Sequence, residues 1–131
     1  MTESSRWKLR YSEFSKSLKS LEKAIMVKNP DEIYRAGLIQ YFEMTFELAW
    51  KTLKDYLTDQ GFIIRSPRQS IQQAFESEII NDGHSWIVAL EKRNLVSHTY
   101  DDAVLKEIET LIRSKYILIF RQLDERLSND N

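Results

Sequence analysis

The sequence predicts an all-α protein, an antiparallel up-and-down bundle of four main helices and one short helix. Apolar residues recur at helical steps along most of the chain, and no stretch alternates with period two as a strand would. The chain has only 2 prolines and 3 glycines, which leaves little room for long loops, and short links favour antiparallel helices. With 131 residues, 42% of them hydrophobic, residues 1–131 should form one domain around one core.

The first helix is predicted from an apolar stripe whose members follow alternating steps of four and three. Such spacing places side chains on one face, because an α-helix turns once every 3.6 residues. This helix should stop near Asn29-Pro30, since the residue before a proline avoids helical backbone angles. The stripe consists of Trp7, Tyr11, Phe14, Leu18, Leu21 and Ile25.

The second helix is predicted to begin with Pro30 in its first turn, where Asp31 and Glu32 suit the positive end of the helix dipole. It should run to Asp59, with Gly61 as the stop signal. A helix this broadly apolar is either central in its bundle or contacts another chain. The inner stripe is Ile39, Phe42, Phe46, Ala49, Leu53 and Tyr56, and the second apolar side is Tyr34, Leu38, Tyr41, Leu48 and Trp50.

The short third helix has a start signal of its own. In Ser66-Pro67-Arg68-Gln69 the serine can cap the helix, the proline fits the first position, and the glutamine can close a capping box. Asn81-Asp82-Gly83 then predicts a turn. The apolar stripe between the two signals is Ile71, Ala74, Phe75 and Ile79.

A fourth helix should begin near Ser85 and end around His98 or Tyr100, after which Asp101 or Asp102 caps the last helix. The fourth helix carries Trp86, Ala89, Leu90 and Val96. The stripe of the last helix includes Leu105, Ile108, Ile112, Ile119 and Leu123.

Composition also excludes several classes of protein. Without cysteine, neither disulfides nor thiolate metal sites can form. The N-terminus lacks an apolar signal core, and no apolar run approaches the roughly 20 residues of a membrane helix. We therefore expect a cytoplasmic protein that does not associate with a membrane. A net charge of −1 argues against a strongly basic nucleic-acid binder, although it leaves room for local basic patches. The tail, residues 126–131, is expected to be frayed.

Several familiar sites are absent from the pattern. There is no glycine-rich phosphate loop and no support for a serine triad, and His84 and His98 are too far apart for a paired-histidine zinc site. Glu43 and Glu47 lie one helical turn apart and could serve acid–base chemistry or bind a metal. A solvated helix edge or an interface salt bridge is the simpler interpretation of that pair.

The segment EKRNLVSHTY, residues 91–100, concentrates the groups that suggest chemistry. On a regular helix Asn94 and His98 lie on one ridge, so Asn94 could orient the imidazole. Arg93 projects roughly 140° away from His98. One regular helix therefore cannot easily direct both side chains at the same atom. A two-fold dimer could do so by bringing an arginine and a histidine from each subunit around one cleft.

Such a cleft suits cleavage of RNA phosphodiesters without a metal. Histidine moves protons near neutral pH, and arginine binds phosphate through a planar fork of donors. His98 would take the proton of a ribose 2′-hydroxyl and Arg93 would stabilise the charged transition state. The alternative is structural: His98 as a capping or packing group, and Arg93 as an ion-pair partner of Glu91 or Asp101.

Residues 93–100 resemble the R-N-x-x-x-H-x-Y motif of the HEPN superfamily (higher eukaryotes and prokaryotes nucleotide-binding). The segments FEMTFELAWKTLKDYL, SPRQSIQQAF and RNLVSHTYD also occur in the order found in nucleotidyltransferase substrate-binding proteins. These proteins are the toxin partners of minimal nucleotidyltransferases. The resemblance extends from about Arg6 to Leu127.

The resemblance implies a homodimeric all-α ribonuclease toxin that needs neither metal nor cofactor. Arg93 and His98 would be catalytic at the dimer interface and Asn94 supporting. Tyr100 would accept AMP from the cognate nucleotidyltransferase antitoxin, which blocks the toxin. An attached nucleotide would bring bulk and negative charge beside Arg93 and so compete with RNA.

Two other functions and one structural role for Tyr100 remain open at this point. The protein could be a non-catalytic subunit that presents a substrate to the nucleotidyltransferase. It could also be a structural dimer without activity, although the intact arginine and histidine argue against that. Tyr100 could be a half-buried aromatic residue that covers the helix end.

Overall fold

The computed structural model describes residues 3–99 and 101–130, and every regular element among them is helical. The predicted all-α bundle is therefore confirmed. Within the described residues, no helix is both long and apolar enough to cross a membrane. The elements are α1 (Glu3–Ala24), α2 (Glu32–Asp59), α3 (Pro67–Glu76), α4 (Gly83–Val96), α5 (Asp102–Leu111), a π-helical turn (Ile112–Tyr116) and α6 (Ile117–Ser128).

Helices α1 and α2 form an antiparallel pair that contains much of the core. Arg10 near the start of α1 pairs with Asp55 near the end of α2 at 3.3 Å, and further along Ser17 Oγ lies 2.7 Å from Thr45 Oγ1. The members of the predicted stripe between residues 7 and 21 are all buried. The inner stripe predicted for α2 is buried as well, which confirms that the period of the apolar residues identified the core face.

The link between α1 and α2 differs from the prediction. Helix α1 ends at Ala24 rather than near Asn29, and Asn29 itself has a positive φ of 52°. Asp31 is the N-cap of α2, where its carboxylate accepts a hydrogen bond of 2.7 Å from the backbone N–H of Tyr34. The expected place of Pro30 in the first turn is therefore wrong, because the side chain of Asp31, the residue after the proline, satisfies the free N–H and caps a helix that begins at Glu32.

The C-terminal helices run parallel to α2. Four contacts between them share one separation of 74 residues, which requires the same chain direction. The parallel direction arises because α3 and α4 carry the chain back across the bundle. The four contacts are Arg35–Glu109, Phe42–Tyr116, Phe46–Phe120 and Tyr56–Asp130.

The predicted last helix is interrupted by the π-helical turn, residues 112–116. Its buried side chains Ile108, Ile112, Tyr116 and Phe120 follow three successive steps of four. In a regular α-helix these steps would drift by about 120° around the axis. A π turn holds more residues per turn, so it keeps these side chains facing the core.

Helix α3 begins as predicted. Ser66 Oγ accepts a 3.2 Å hydrogen bond from the Gln69 N–H, and the amide oxygen of Gln69 accepts a 2.7 Å bond from Arg65 N–H, one residue before the cap. The expected core position of Phe75 is wrong, because the ring is 49% exposed. It lies over the start of α4, where a Cβ on Gly83 would come within 3.2 Å of Phe75 Cγ.

Candidate functional site

Helix α4 is held firmly at its N-terminal half. Asp82 caps it by accepting a 3.1 Å hydrogen bond from Ser85 N–H, so the helix starts two residues earlier than predicted. One turn later Trp86 is fully buried, and its ring meets Phe120 edge-on at 5.6 Å between centroids. Because a helix is stiff, this anchor also positions Arg93 in the last turn of α4.

Arg93 makes two contacts through its guanidinium. Nη2 forms an ion pair with Glu47 Oε2 on α2, and Nη1 donates a 3.1 Å hydrogen bond to Asn94 Oδ1. The arginine therefore pairs with neither Glu91 nor Asp101, which were its expected structural partners. Its side chain remains 27% exposed, so solvent or a ligand can reach it.

The two glutamates noted in the sequence have different roles around Arg93. Burial by itself raises the pKa of Glu47, but the hydrogen bond from Trp50 and the charges of Arg93 and Lys51 lower that pKa overall. Burial outweighs the attraction of Arg93 at Glu43 and raises the pKa of that carboxyl. Glu47 is thus the ionised partner of the arginine. The part of α2 that carries the two glutamates therefore takes part in an ion pair within one chain and is not a solvated helix edge.

His98 lies just beyond the helix. The α4 helix ends at Val96, and the N–H groups of Ser97 and His98 both bond to the Leu95 carbonyl, at 3.0 Å for His98. The regular helix on which the ridge of Asn94 and His98 was predicted therefore ends two residues before the histidine. The imidazole is exposed to solvent.

The segment after His98 connects directly to the next helix. Thr99 Oγ1 accepts a 3.1 Å hydrogen bond from Asp101 N–H, and Asp101 Oδ1 caps α5 by accepting a 2.9 Å bond from Ala103 N–H. Of the two proposed caps, Asp101 is the one used. Tyr100, the predicted AMP acceptor, lies outside the described residues.

An exposed apolar stripe on α2 leads toward Glu47. Its members follow helical spacing, and we call this stripe the α2 apolar face. Its three large side chains are 84%, 40% and 46% exposed, and its first three members line a groove of about 350 Å³. The second apolar side predicted for α2 is thus only partly core. The α2 apolar face consists of Ile33, Gly37, Tyr41 and Met44.

The arrangement can bind a phosphate and move a proton. The guanidinium of Arg93 has five N–H donors, of which the two contacts use two. The exposed imidazole of His98 can accept or donate a proton. In the part of the chain that the structure describes, no group of three or more histidine or acidic side chains could hold a metal ion. Glu47 is the site residue that sequence reasoning did not assign to Arg93, although the glutamate pair was noted.

A helical bundle with this arginine and histidine at the end of α4 matches a known family. The family described as nucleotidyltransferase substrate binding protein like matches residues 9–129, and the chain belongs to it. The predicted resemblance is thereby confirmed.

Two relatives support the assignment. The chain is 31% identical, over 105 residues, to a protein of Haemophilus influenzae described as probable ribonuclease HepT, covering 72% of this chain and 70% of that protein. A crystal structure of a protein from Thermus thermophilus superposes with a TM-score of 0.81 at 29% identity, covering 87% of this chain and 98% of that chain.

Proposed function

We propose that the protein is a HEPN-type toxin that cleaves RNA without a metal, using Arg93 and His98. The observation that carries the proposal is the Arg93 guanidinium, partly exposed and oriented by two contacts, five residues before an exposed imidazole. The similarity to a protein described as a probable ribonuclease supports it. RNA and ATP are both found in the cytoplasm, where we expect the protein to act.

The proposed reaction is an internal transesterification. His98 removes the proton of a ribose 2′-hydroxyl, the 2′-oxygen attacks the adjacent phosphorus, and the bond from phosphorus to the 5′-oxygen breaks. The products are a 2′,3′-cyclic phosphate and a 5′-hydroxyl, which takes up a proton. Arg93 stabilises the charge that develops on the phosphate oxygens. Asn94 supports the reaction by holding Arg93 Nη1 rather than the imidazole.

A homodimer is part of the proposal. The α2 apolar face presents large exposed apolar side chains, and burial of such a surface by a second copy is favourable. The stripe continues by helical spacing to Glu47, which contacts Arg93. A second copy on this face would therefore bring its own arginine and histidine toward the same cleft.

Cleavage of RNA is tested by comparing the wild type with His98→Ala. We expect the purified wild type to produce fragments with cyclic phosphate ends, and the variant to lose this activity while remaining folded. Expression of the wild type alone should slow bacterial growth, whereas the variant should not. If both are equally harmless and neither cleaves RNA, the proposed function is rejected.

The dimer is tested by light scattering of the wild type and of Met44→Glu, which places a charge on the α2 apolar face. The wild type should have twice the mass of one chain, and the variant should dissociate and lose RNA cleavage together. The matched control is Leu118→Glu, because Leu118 is also exposed, at 57%, but lies on α6. A monomeric but fully active wild type would contradict a shared cleft.

We also propose that a cognate minimal nucleotidyltransferase inactivates the protein by adding AMP to Tyr100. The tyrosine oxygen would attack the α-phosphorus of ATP, pyrophosphate would leave, and the phenol proton would be released. Incubation with the partner and ATP should add adenylate mass to Tyr100. Addition only at the neighbouring hydroxyls of Ser97 or Thr99, or unchanged mass, would contradict this assignment.

A second candidate is a non-catalytic subunit that binds a nucleotide or another substrate for the nucleotidyltransferase. The description of the family favours it, and a guanidinium binds a nucleotide phosphate as readily as RNA. The two functions differ in one measurement. A binding subunit would increase the rate of the nucleotidyltransferase toward a third molecule, and His98→Ala would leave that rate unchanged.

A further inference from the structure

The guanidinium of Arg93 is held by acceptors from two different helices. Asn94 is its neighbour on α4, whereas Glu47 lies 46 residues earlier on α2. An ion pair between an arginine and a carboxylate restricts the arginine more than a neutral hydrogen bond does. Glu47 is therefore the stronger of the two restraints on the orientation of Arg93.

Glu47 is itself restrained on both carboxylate oxygens. Trp50 Nε1 donates a 3.0 Å hydrogen bond to Oε2, and Lys51 Nζ lies 3.3 Å from Oε1. The neighbouring backbone is anchored as well, because Phe46 and Ala49 are fully buried in the core. The restraint on Arg93 thus originates in the core of α2 and reaches the guanidinium through one carboxylate.

The other glutamate near Arg93 does not make this contact. Glu43 lies one turn earlier and interacts with Arg93 only through its charge, while burial disfavours its ionised form. Glu47 is stabilised as a carboxylate by Trp50, Arg93 and Lys51 together. The two acidic groups that face the arginine are therefore not equivalent.

We propose that Glu47 is a positioning residue, which holds the Arg93 guanidinium in the orientation that receives the phosphate in the transition state. The proposal rests on the proposed ribonuclease function. Two contacts use two of the five N–H donors of the guanidinium and leave three for the substrate. Ordering of this long side chain then occurs on folding, so it does not have to occur again when RNA binds.

If Glu47 instead competed with the substrate for Arg93, its removal would change activity in the opposite direction. A carboxylate beside Arg93 could also compete with the substrate phosphate, and its removal would then strengthen binding and raise activity. Positioning predicts that removal lowers kcat with little change in KM, because the loss affects the transition state more than the ground state. Kinetics on one RNA substrate therefore distinguish the two roles by sign.

The experiment compares wild type, Glu47→Ala, Glu47→Gln and Trp50→Phe. For Glu47→Ala we expect kcat to fall ~10- to 100-fold while KM stays within about threefold. Glu47→Gln keeps an acceptor for Arg93, so it should lose less than about tenfold. Trp50→Phe removes one restraint on Glu47 and should have the smallest effect.

The matched control is Glu22→Ala, which breaks the exposed ion pair of Arg121 and Glu22 at 2.8 Å. Its kinetics should equal those of the wild type. Light scattering on each variant reports whether the dimer is unchanged. A wild type that cleaves no RNA overturns the proposed function and this inference together, whereas an active wild type with an equally active Glu47→Ala overturns only this inference.

Side-chain NMR tests the restraint without any reaction. In isotope-labelled wild type, rotation of the Arg93 guanidinium should be slow, and in Glu47→Ala it should be fast. Arg93→Lys assigns the signal. Glu47→Ala that loses activity while the Arg93 signal is unchanged would show that Glu47 acts in another way, and would overturn the positioning role.

Discussion

Trp86 of α4 meets Phe120 of α6 edge-on, with 5.6 Å between the ring centroids and 66° between the ring planes. Both rings are fully buried. This contact links the helix that carries Arg93 to the C-terminal helix. The geometry of the site therefore depends on a packing contact two helical turns away from the arginine.

Replacement of Trp86 should destabilise the protein according to the volume removed. Trp86→Ala should lower the free energy of unfolding by about 3–5 kcal/mol, because it leaves a large cavity. Trp86→Phe should cost about 1–2 kcal/mol, since the indole Nε1 has no hydrogen-bond partner among the described residues and its loss breaks none. Urea unfolding measures both values, and equal costs would contradict the cavity explanation.

The buried hydroxyl pair of α1 and α2 should show coupling. Thr45 Oγ1 donates to the Tyr41 carbonyl at 2.7 Å, so Ser17 is the donor in the 2.7 Å contact between the two hydroxyls. Thr45→Val leaves the Ser17 hydroxyl without its acceptor and should cost about 1–3 kcal/mol. Adding Ser17→Ala should recover part of that loss, because no buried donor then remains unpaired. Additive costs in chemical unfolding would contradict this coupling.

Glu109 should make stability depend on acidity. Burial alone would raise its pKa, but hydrogen bonds from Arg35 and Arg113 and their charges lower the pKa of Glu109. A lowered folded-state pKa adds stability that is complete above the unfolded value of about 4.3 and is lost as pH falls through the folded value. Glu109→Gln should therefore cost about 1.5–3 kcal/mol at pH ~7.

The measurement for Glu109 is chemical unfolding of wild type and Glu109→Gln across pH. The difference between them should be constant near neutrality and shrink below pH ~4. The matched control is Glu22→Gln, whose ion pair with Arg121 is more exposed, with side-chain exposures of 34% and 48%. A difference that persists unchanged in acid would show that the carboxylate charge is not the source of the stability.

Glu43 should make stability depend on pH in the direction opposite to Glu109. Burial raises its pKa and the charge of Arg93 only partly opposes this. Its contribution to stability is complete below the unfolded pKa and is lost as pH rises through the raised folded pKa. Glu43→Gln should therefore stabilise the protein at neutral pH, by less than about 1 kcal/mol, and not below pH ~4.

Thermal unfolding of Glu43→Gln and Glu47→Gln provides the comparison. The two glutamates lie one turn apart on α2 and both face Arg93, yet their pKa values shift in opposite directions. Glu47→Gln should lower the melting temperature at pH ~7, because it removes the partner of Arg93. If both variants shift stability in the same direction, burial does not distinguish the two sites.

The helices and their core faces could be predicted from the sequence because they depend on local properties. The helical period of the apolar residues identified the buried stripes of α1 and α2, and the cap at Ser66 was recognised from side-chain chemistry. The ends of the helices were predicted less accurately than their core faces, since Asn29 and His98 both lie outside the helices that were expected to reach them. A helix end depends on which group satisfies its last hydrogen bonds, and neighbouring helices influence that choice.

The sequence by itself determined the all-α class, the order of the helices and the presence of Arg93 and His98 near one helix end. Only the tertiary structure decided that α6 runs parallel to α2 and that Glu47 holds Arg93. The physical reason is that periodicity shows which face of a helix is buried but not which helix covers it. A contact across 46 residues depends on how two helices cross, and that crossing results from packing of the whole core.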